Sequence, residues 1–242
     1  LLRLMVYSAG CIVYNWSMGN AKNVVIFDFD GVIAISDDAR FKILKEQALR
    51  YNVVISDSLY KATIGQTAAN FFKKHFSHLN PDTTHSIIEN YTKIYRSNIL
   101  QYSKEVKSVT NFIKKHNAEY TFAIASTNTI INIEAILKKF DIINFFSCII
   151  AREDVCKKKP DPSAYLKVID KLNVHKSQCI AVEDSVIGAQ AAINAGIPVI
   201  GLLNGSNTVH DFDNLPLADV VSTEAELADA IHSYKNHDTH ST

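Results

Sequence analysis

The sequence predicts an α/β protein built on a doubly wound parallel sheet, with a second, helical domain inserted near its start. Three observations predict it. Short apolar segments of strand length alternate with helix-like segments over most of the chain. One long interval, between the first and second of these strands, holds no convincing strand. Acidic, hydroxyl or amide residues follow directly on three of the strand-like segments, where open α/β sheets place their ligands.

The first strand is Val24–Phe29, β-branched and apolar on both faces, as a central strand of a parallel sheet must be. Tyr120–Ala125, Cys148–Ala151, Cys179–Val182 and Pro198–Leu202 repeat the style. Between them, Thr129–Phe140 puts Ile130, Ile133, Ile136 and Leu137 on one helical face. Pro162–Leu172 begins with a proline, a natural first-turn residue. Val186–Ala195 is alanine-rich and stops at Gly196, a good C-cap.

Residues 37–105 read as several helices, with Phe41, Leu44, Ala48, Leu49, Phe71, Phe72 and Phe76 as their apolar positions. That is too much helix for one crossover in a compact βαβ unit, so it reads as an inserted cap. The Rossmann-like core is then 21–36 plus 106–235. Residues 1–20 read as a frayed extension and 236–242 as a polar, disordered tail.

Composition narrows the function. Lys plus Arg and Asp plus Glu both number 25, so no net field exists to hold a nucleic acid or an anionic membrane. The apolar run at the start is broken by Ser8, Ala9, Gly10 and Asn15, short of the ~20 residues a membrane span needs. Four cysteines without a CxxC pair or zinc spacing suggest a reduced, cytoplasmic protein. Specificity must come from a local site for a small molecule; oligomeric state is not readable.

That site has four stations. Asp28 and Asp30 lie two apart at the end of the first strand and can face one ligand, with Gly31 allowing a tight turn. One carboxylate can attack phosphorus while the other moves a proton. Ser126, Thr127 and Asn128 follow the second strand, where a hydroxyl and backbone N–H groups can hold phosphate oxygens; equally, they suit an ordinary N-cap. Lys159, stiffened by Pro160 and Pro162, can offset negative charge. Glu183 and Asp184 follow the strand CIAV; with Asp28 and the Asp30 carbonyl they suit Mg²⁺, a hard ion that takes oxygen ligands. Glu183 and Asp184 could also cap the next helix.

Taken together and in this order, the stations resemble the haloacid dehalogenase-like superfamily, in its branch with a helical cap. DFDGVI at 28–33 is similar to the first family motif, Ser126 to the second, Lys159 in KPDP to the third, and VEDSVIGAQAAINAGI at 182–197 to the fourth. The resemblance implies a Mg²⁺-dependent phosphatase. In it Asp28 becomes an aspartyl-phosphate, Asp30 is the acid and base, Ser126 and Lys159 hold phosphate, and Asp184 binds metal with Glu183 as a further ligand. A β-phosphoglucomutase-like mutase is the alternative, and a non-catalytic binding protein on the same fold a third. The sequence departs from the family pattern at Ile35-Ser36-Asp37-Asp38, where an acid and a Glu are common. In the cap, Gly65, Gln66 and Thr67 resemble the substrate-facing loop, but Ala68 and Ala69 stand where the mutase carries a phosphate-binding Arg.

Overall fold

The structure, a computed structural model, describes residues 23–61, 67–204 and 207–237, together with the two short strands Val6–Ser8 and Cys11–Val13. The chain divides into two compact units: Leu1–Ile35 with Glu105–Thr242, and Ser36–Lys104.

In the larger unit the strands are β1 (Val24–Phe27), β2 (Thr121–Ala125), β3 (Phe146–Ile150), β4 (Cys179–Glu183), β5 (Val199–Leu202) and β6 (Asp219–Val221). They form one sheet in the order β3-β2-β1-β4-β5-β6, and every pairing is parallel. Strand order reverses between β1 and β4, and that switch point is where such sheets leave a crevice. Val24 is in register with Thr121 on one side and Cys179 on the other, so β1 and β4 end side by side.

Strand alternation sorts the core. Val24, Ile26, Ala123, Ala125, Cys148, Ile150, Cys179 and Ala181 pack on one face against Tyr165 and Val168 of helix Ser163–Leu172 and the alanines of helix Val186–Asn194. Small side chains at Ala189, Ala191 and Ala192 let that helix lie close to the sheet; Gly196, at φ +75°, turns the chain after it. The aromatic rings Phe27 and Phe122 lie 5.7 Å apart, and Phe112 of helix Lys107–His116 reaches Phe122 at 6.0 Å. Each such fully buried ring contributes about 1.5–3 kcal/mol.

Some expectations shift. The first strand ends at Phe27, which releases Asp28 and Phe29 into the loop. A sixth strand, β6, and helix Glu224–His237 extend the fold beyond the elements read from sequence. The helix buries Leu227 and Ile231, and it runs through His237, two residues into the segment expected to be a disordered tail. Within the expected amino-terminal extension, Val6 to Ser8 pairs antiparallel with Cys11 to Val13.

The smaller unit is helical: Asp37–Leu49, Asp57–Lys61, Ala68–His75, Pro81–Ser97 and Ile99–Tyr102. Its own core gathers Leu44, Ala48, Val53, Ile55, Phe71, Phe72 and Ile87. Asn80 caps the longest helix, with Pro81 at the first turn. No helix among the described residues is long and apolar enough to cross a membrane.

Candidate active site

β1 delivers Asp28 to the carboxyl edge of the sheet, where its N–H donates to the Val182 carbonyl of β4 at 3.0 Å. The side chain is almost wholly buried. Lys159 Nζ donates to Asp28 Oδ1 at 2.7 Å, to Glu183 Oε1 at 2.6 Å and to the Ala125 carbonyl at 2.9 Å. Tyr165 OH donates to the same Glu183 oxygen at 2.6 Å. The lysine thus ties the ends of β1, β2 and β4 into one network. Burial pulls its pKa down, but the Asp28 and Glu183 carboxylates carry it well above the ordinary lysine value. Burial pushes Glu183 the other way, up to about 7, against the pull of Lys159.

Asp30 sits on the turn that follows. Gly31 takes φ +87°, and its N–H donates to the Ala34 carbonyl at 2.8 Å. The amide of Asn128 donates to both Asp30 oxygens, at 3.2 and 3.0 Å. Asn128 is itself oriented, its side-chain carbonyl accepting from Thr129 N at 2.8 Å and Asn132 Nδ2 at 3.0 Å. Asp28 thus meets an ammonium, and a neutral amide is among the partners of Asp30.

The hydroxyl station resolves in detail. The N-cap of helix Ile130–Lys139 is Thr129, not Ser126, Thr127 or Asn128. Ser126 is buried and its Oγ accepts from Asn128 N at 3.0 Å, while Thr127 is exposed. At the fourth station the cap of helix Val186–Asn194 is Ser185, whose Oγ accepts from Gly188 N at 3.1 Å. Glu183 and Asp184 are thereby left for other work.

Asp184 lies against the Gly31 turn: a Cβ at Gly31 would come within 1.8 Å of Asp184 Oδ2. Asn204 Nδ2 donates to that oxygen at 2.9 Å and to the Gly31 carbonyl at 2.8 Å. Asn207 Nδ2 donates to the Asp184 carbonyl at 2.7 Å. One carboxylate oxygen each from Asp28, Glu183 and Asp184 lie within 4.8 Å of one another. An all-oxygen, carboxylate-rich set of that kind fits a hard divalent cation. Tyr165, Asn204 and Asn207 went unnoticed in the sequence. Of the cap residues, Thr67 is exposed and caps helix Ala68–His75 through Asn70 N, at 3.2 Å; Gly65 and Gln66 lie outside the described residues.

The fold thus brings a cluster of acids to the end of its central parallel strand. The haloacid dehalogenase-like hydrolase family matches residues 25–202, and the chain belongs to that family. A haloacid dehalogenase-like hydrolase domain-containing protein of Arabidopsis thaliana is 32% identical over 128 residues, 52% of this chain and 40% of that protein. The fructose-1-phosphate phosphatase YqaB of Escherichia coli is 24% identical over 180 residues, 73% of this chain and 94% of that one. Among solved structures, a haloacid dehalogenase-like hydrolase from Bacteroides fragilis superposes with a TM-score of 0.74 at 25% identity, covering 85% of this chain and 99% of the other.

Proposed function

We propose that this chain is a phosphatase that hydrolyses a small phosphorylated metabolite, a sugar phosphate or a phosphoglycolate-like acid, through an aspartyl-phosphate on Asp28. The observation that carries the reading is the contrast between two aspartates two residues apart. Asp28 lies 2.7 Å from the Lys159 ammonium, whereas Asp30 is held through both oxygens by the Asn128 amide. A nucleophile and a proton carrier need such unlike settings. Family membership and the likeness to a fructose-1-phosphate phosphatase of Escherichia coli support the substrate class.

In the first half-reaction an Asp28 oxygen attacks phosphorus, and the bond from phosphorus to the substrate oxygen breaks. Asp30 gives that leaving oxygen its proton. In the second, Asp30 takes a proton from water as the water attacks phosphorus, and the Asp28 carboxylate is regenerated. Lys159 offsets negative charge beside Asp28, and Ser126 and Asn128 line the side where phosphate oxygens would rest. Asp28, Asp184 and the Asp30 carbonyl would hold Mg²⁺, with Glu183 behind them. When bound, the ion supplies positive charge to the phosphoryl oxygens.

The test is phosphate release from a panel of phosphorylated metabolites, with Mg²⁺ or with EDTA, by wild type and Asp28→Asn. Release that needs Mg²⁺ and is absent in the variant is expected. Near-wild-type turnover by Asp28→Asn would rule out the covalent route.

A further inference from the structure

A second group of metal-binding side chains lies apart from the residues above. His116 ends helix Lys107–His116, Glu119 stands three residues on, and His232 lies on helix Glu224–His237. One ligand atom of each falls within 4.8 Å of the others. His116 Nδ1 is 2.8 Å from Glu119 Oε1, and His232 Nε2 is 3.4 Å from Glu119 Oε2.

The tautomers show what this group lacks. His232 Nδ1 lies 2.6 Å from the Ala228 carbonyl, which can only accept, so Nδ1 carries the hydrogen. In the neutral ring Nε2 is then a lone pair, and it faces a carboxylate oxygen, a second acceptor. Two acceptors so placed are joined by a cation, either a proton or a metal ion. A carbonyl bonded to the far nitrogen is also the usual support of a metal-ligating histidine. At His116, Nε2 is buried and has no hydrogen-bond partner. His116 Nδ1 is the ring nitrogen that faces Glu119, and it would be the ligand atom of that residue.

The rings are held for it. His116 stacks on Phe112 at 4.8 Å and meets the His232 ring edge-on at 5.4 Å; Tyr120 lies 5.7 Å from His232. His116 is buried, but the Glu119 and His232 side chains are 47% and 38% exposed, which leaves an ion a path in and a position for water. We propose that His116, Glu119 and His232 form a second metal site, for a borderline transition ion such as Zn²⁺, that clips the last helix to the end of helix Lys107–His116. Two imidazoles and a carboxylate with an open fourth position suit Zn²⁺, whereas Mg²⁺ prefers oxygen alone.

The test is a Zn²⁺ titration of the full chain against a chromophoric chelator, comparing wild type, His232→Gln, Glu119→Gln and Asp184→Asn. Both exposed-side variants should keep the fold, checked by circular dichroism. A Zn²⁺ ion that persists in Asp184→Asn and binds at least about tenfold more weakly in His232→Gln and Glu119→Gln is expected. Zn²⁺ should also raise the thermal midpoint of wild type more than that of His232→Gln. The proposal fails if wild type binds no Zn²⁺ at micromolar concentrations. It fails equally if binding is unchanged in both variants, or is lost only in Asp184→Asn.

Discussion

Replacing Gly188 with alanine measures how firmly the buried carboxylate of Glu183 is held. The added Cβ would stand 2.1 Å from both Glu183 oxygens, and below 3.0 Å something must shift. Glu183 would have to retreat by at least about 0.9 Å, the gap between those two distances. It has nowhere to go without loss. It is completely buried, and its Oε1 already lies 2.6 Å from both Lys159 Nζ and Tyr165 OH. Glycine to alanine inside a helix would by itself gain about 1 kcal/mol. Against that stand about 1–3 kcal/mol for overpacking and, if the ion pair opens, about 3–5 kcal/mol for an uncompensated buried charge.

With the ion pair opened the clash wins: the three terms net to roughly 3–7 kcal/mol against Gly188→Ala, lowering the thermal midpoint by roughly 6–28 °C for a chain of this size. Urea unfolding followed by circular dichroism gives the number. The decisive arm is the same substitution made in Glu183→Ala. With the carboxylate gone, Gly188→Ala should cost less than about 0.5 kcal/mol or become stabilising. A full cost in that background, or none in wild type, would refute the reasoning.

Two further predictions follow from single positions. Gly31→Ala places a Cβ 1.8 Å from Asp184 Oδ2 at a positive φ; it should cut turnover at least about 100-fold and raise the Mg²⁺ concentration needed for half-activity, both read from phosphate release. Unchanged metal dependence would separate Gly31 from Asp184. Cys156 is exposed, whereas Cys148 is buried and burial pushes the Cys179 thiol up to about 11, so an aromatic disulfide reagent at pH 8 should label Cys156 quickly and Cys148 and Cys179 only on unfolding. Peptide mapping by mass reads this directly, and rapid labelling of Cys179 in the folded chain would contradict its burial.

What could be read from the sequence follows from which residues have only one good explanation. A run such as VVIF, apolar on both faces, has little use except inside a parallel sheet, and it does lie fully buried as β1. Asp28, Asp30, Lys159 and Asp184 stood out because acids and a stiffened lysine are conspicuous at strand ends. Tyr165 gave no such signal. It sits at an apolar position of an amphipathic helix, and only the fold shows that its hydroxyl reaches Glu183 across the sheet end. Asn204 and Asn207 carry no charge and sit in a loop composition that reads as a turn. Cap positions were ambiguous for a different reason. Ser126-Thr127-Asn128-Thr129 offers four acceptable caps in a row, and the choice of Thr129 depends on where the helix axis lies.

The choice of caps also explains how the site is assembled. Two strand-end loops give a neutral residue to the helix terminus, Thr129 after β2 and Ser185 after β4. The acids and the amide are thereby left to point at one another. Asp28, Asp30, Glu183 and Asp184 bring four carboxylates to the edge of the sheet. Lys159 is the cation that the hydrogen bonds described here bring to them, and it is already shared between Asp28 and Glu183. A group so weighted toward negative charge would repel a phosphate ester if it acted alone. Its donor set makes sense when a divalent cation completes it and turns the balance toward the substrate. On this argument, removing the metal should weaken substrate binding as well as slow the chemistry. Asp184→Asn, which takes away one carboxylate charge, should weaken metal binding more than it weakens folding.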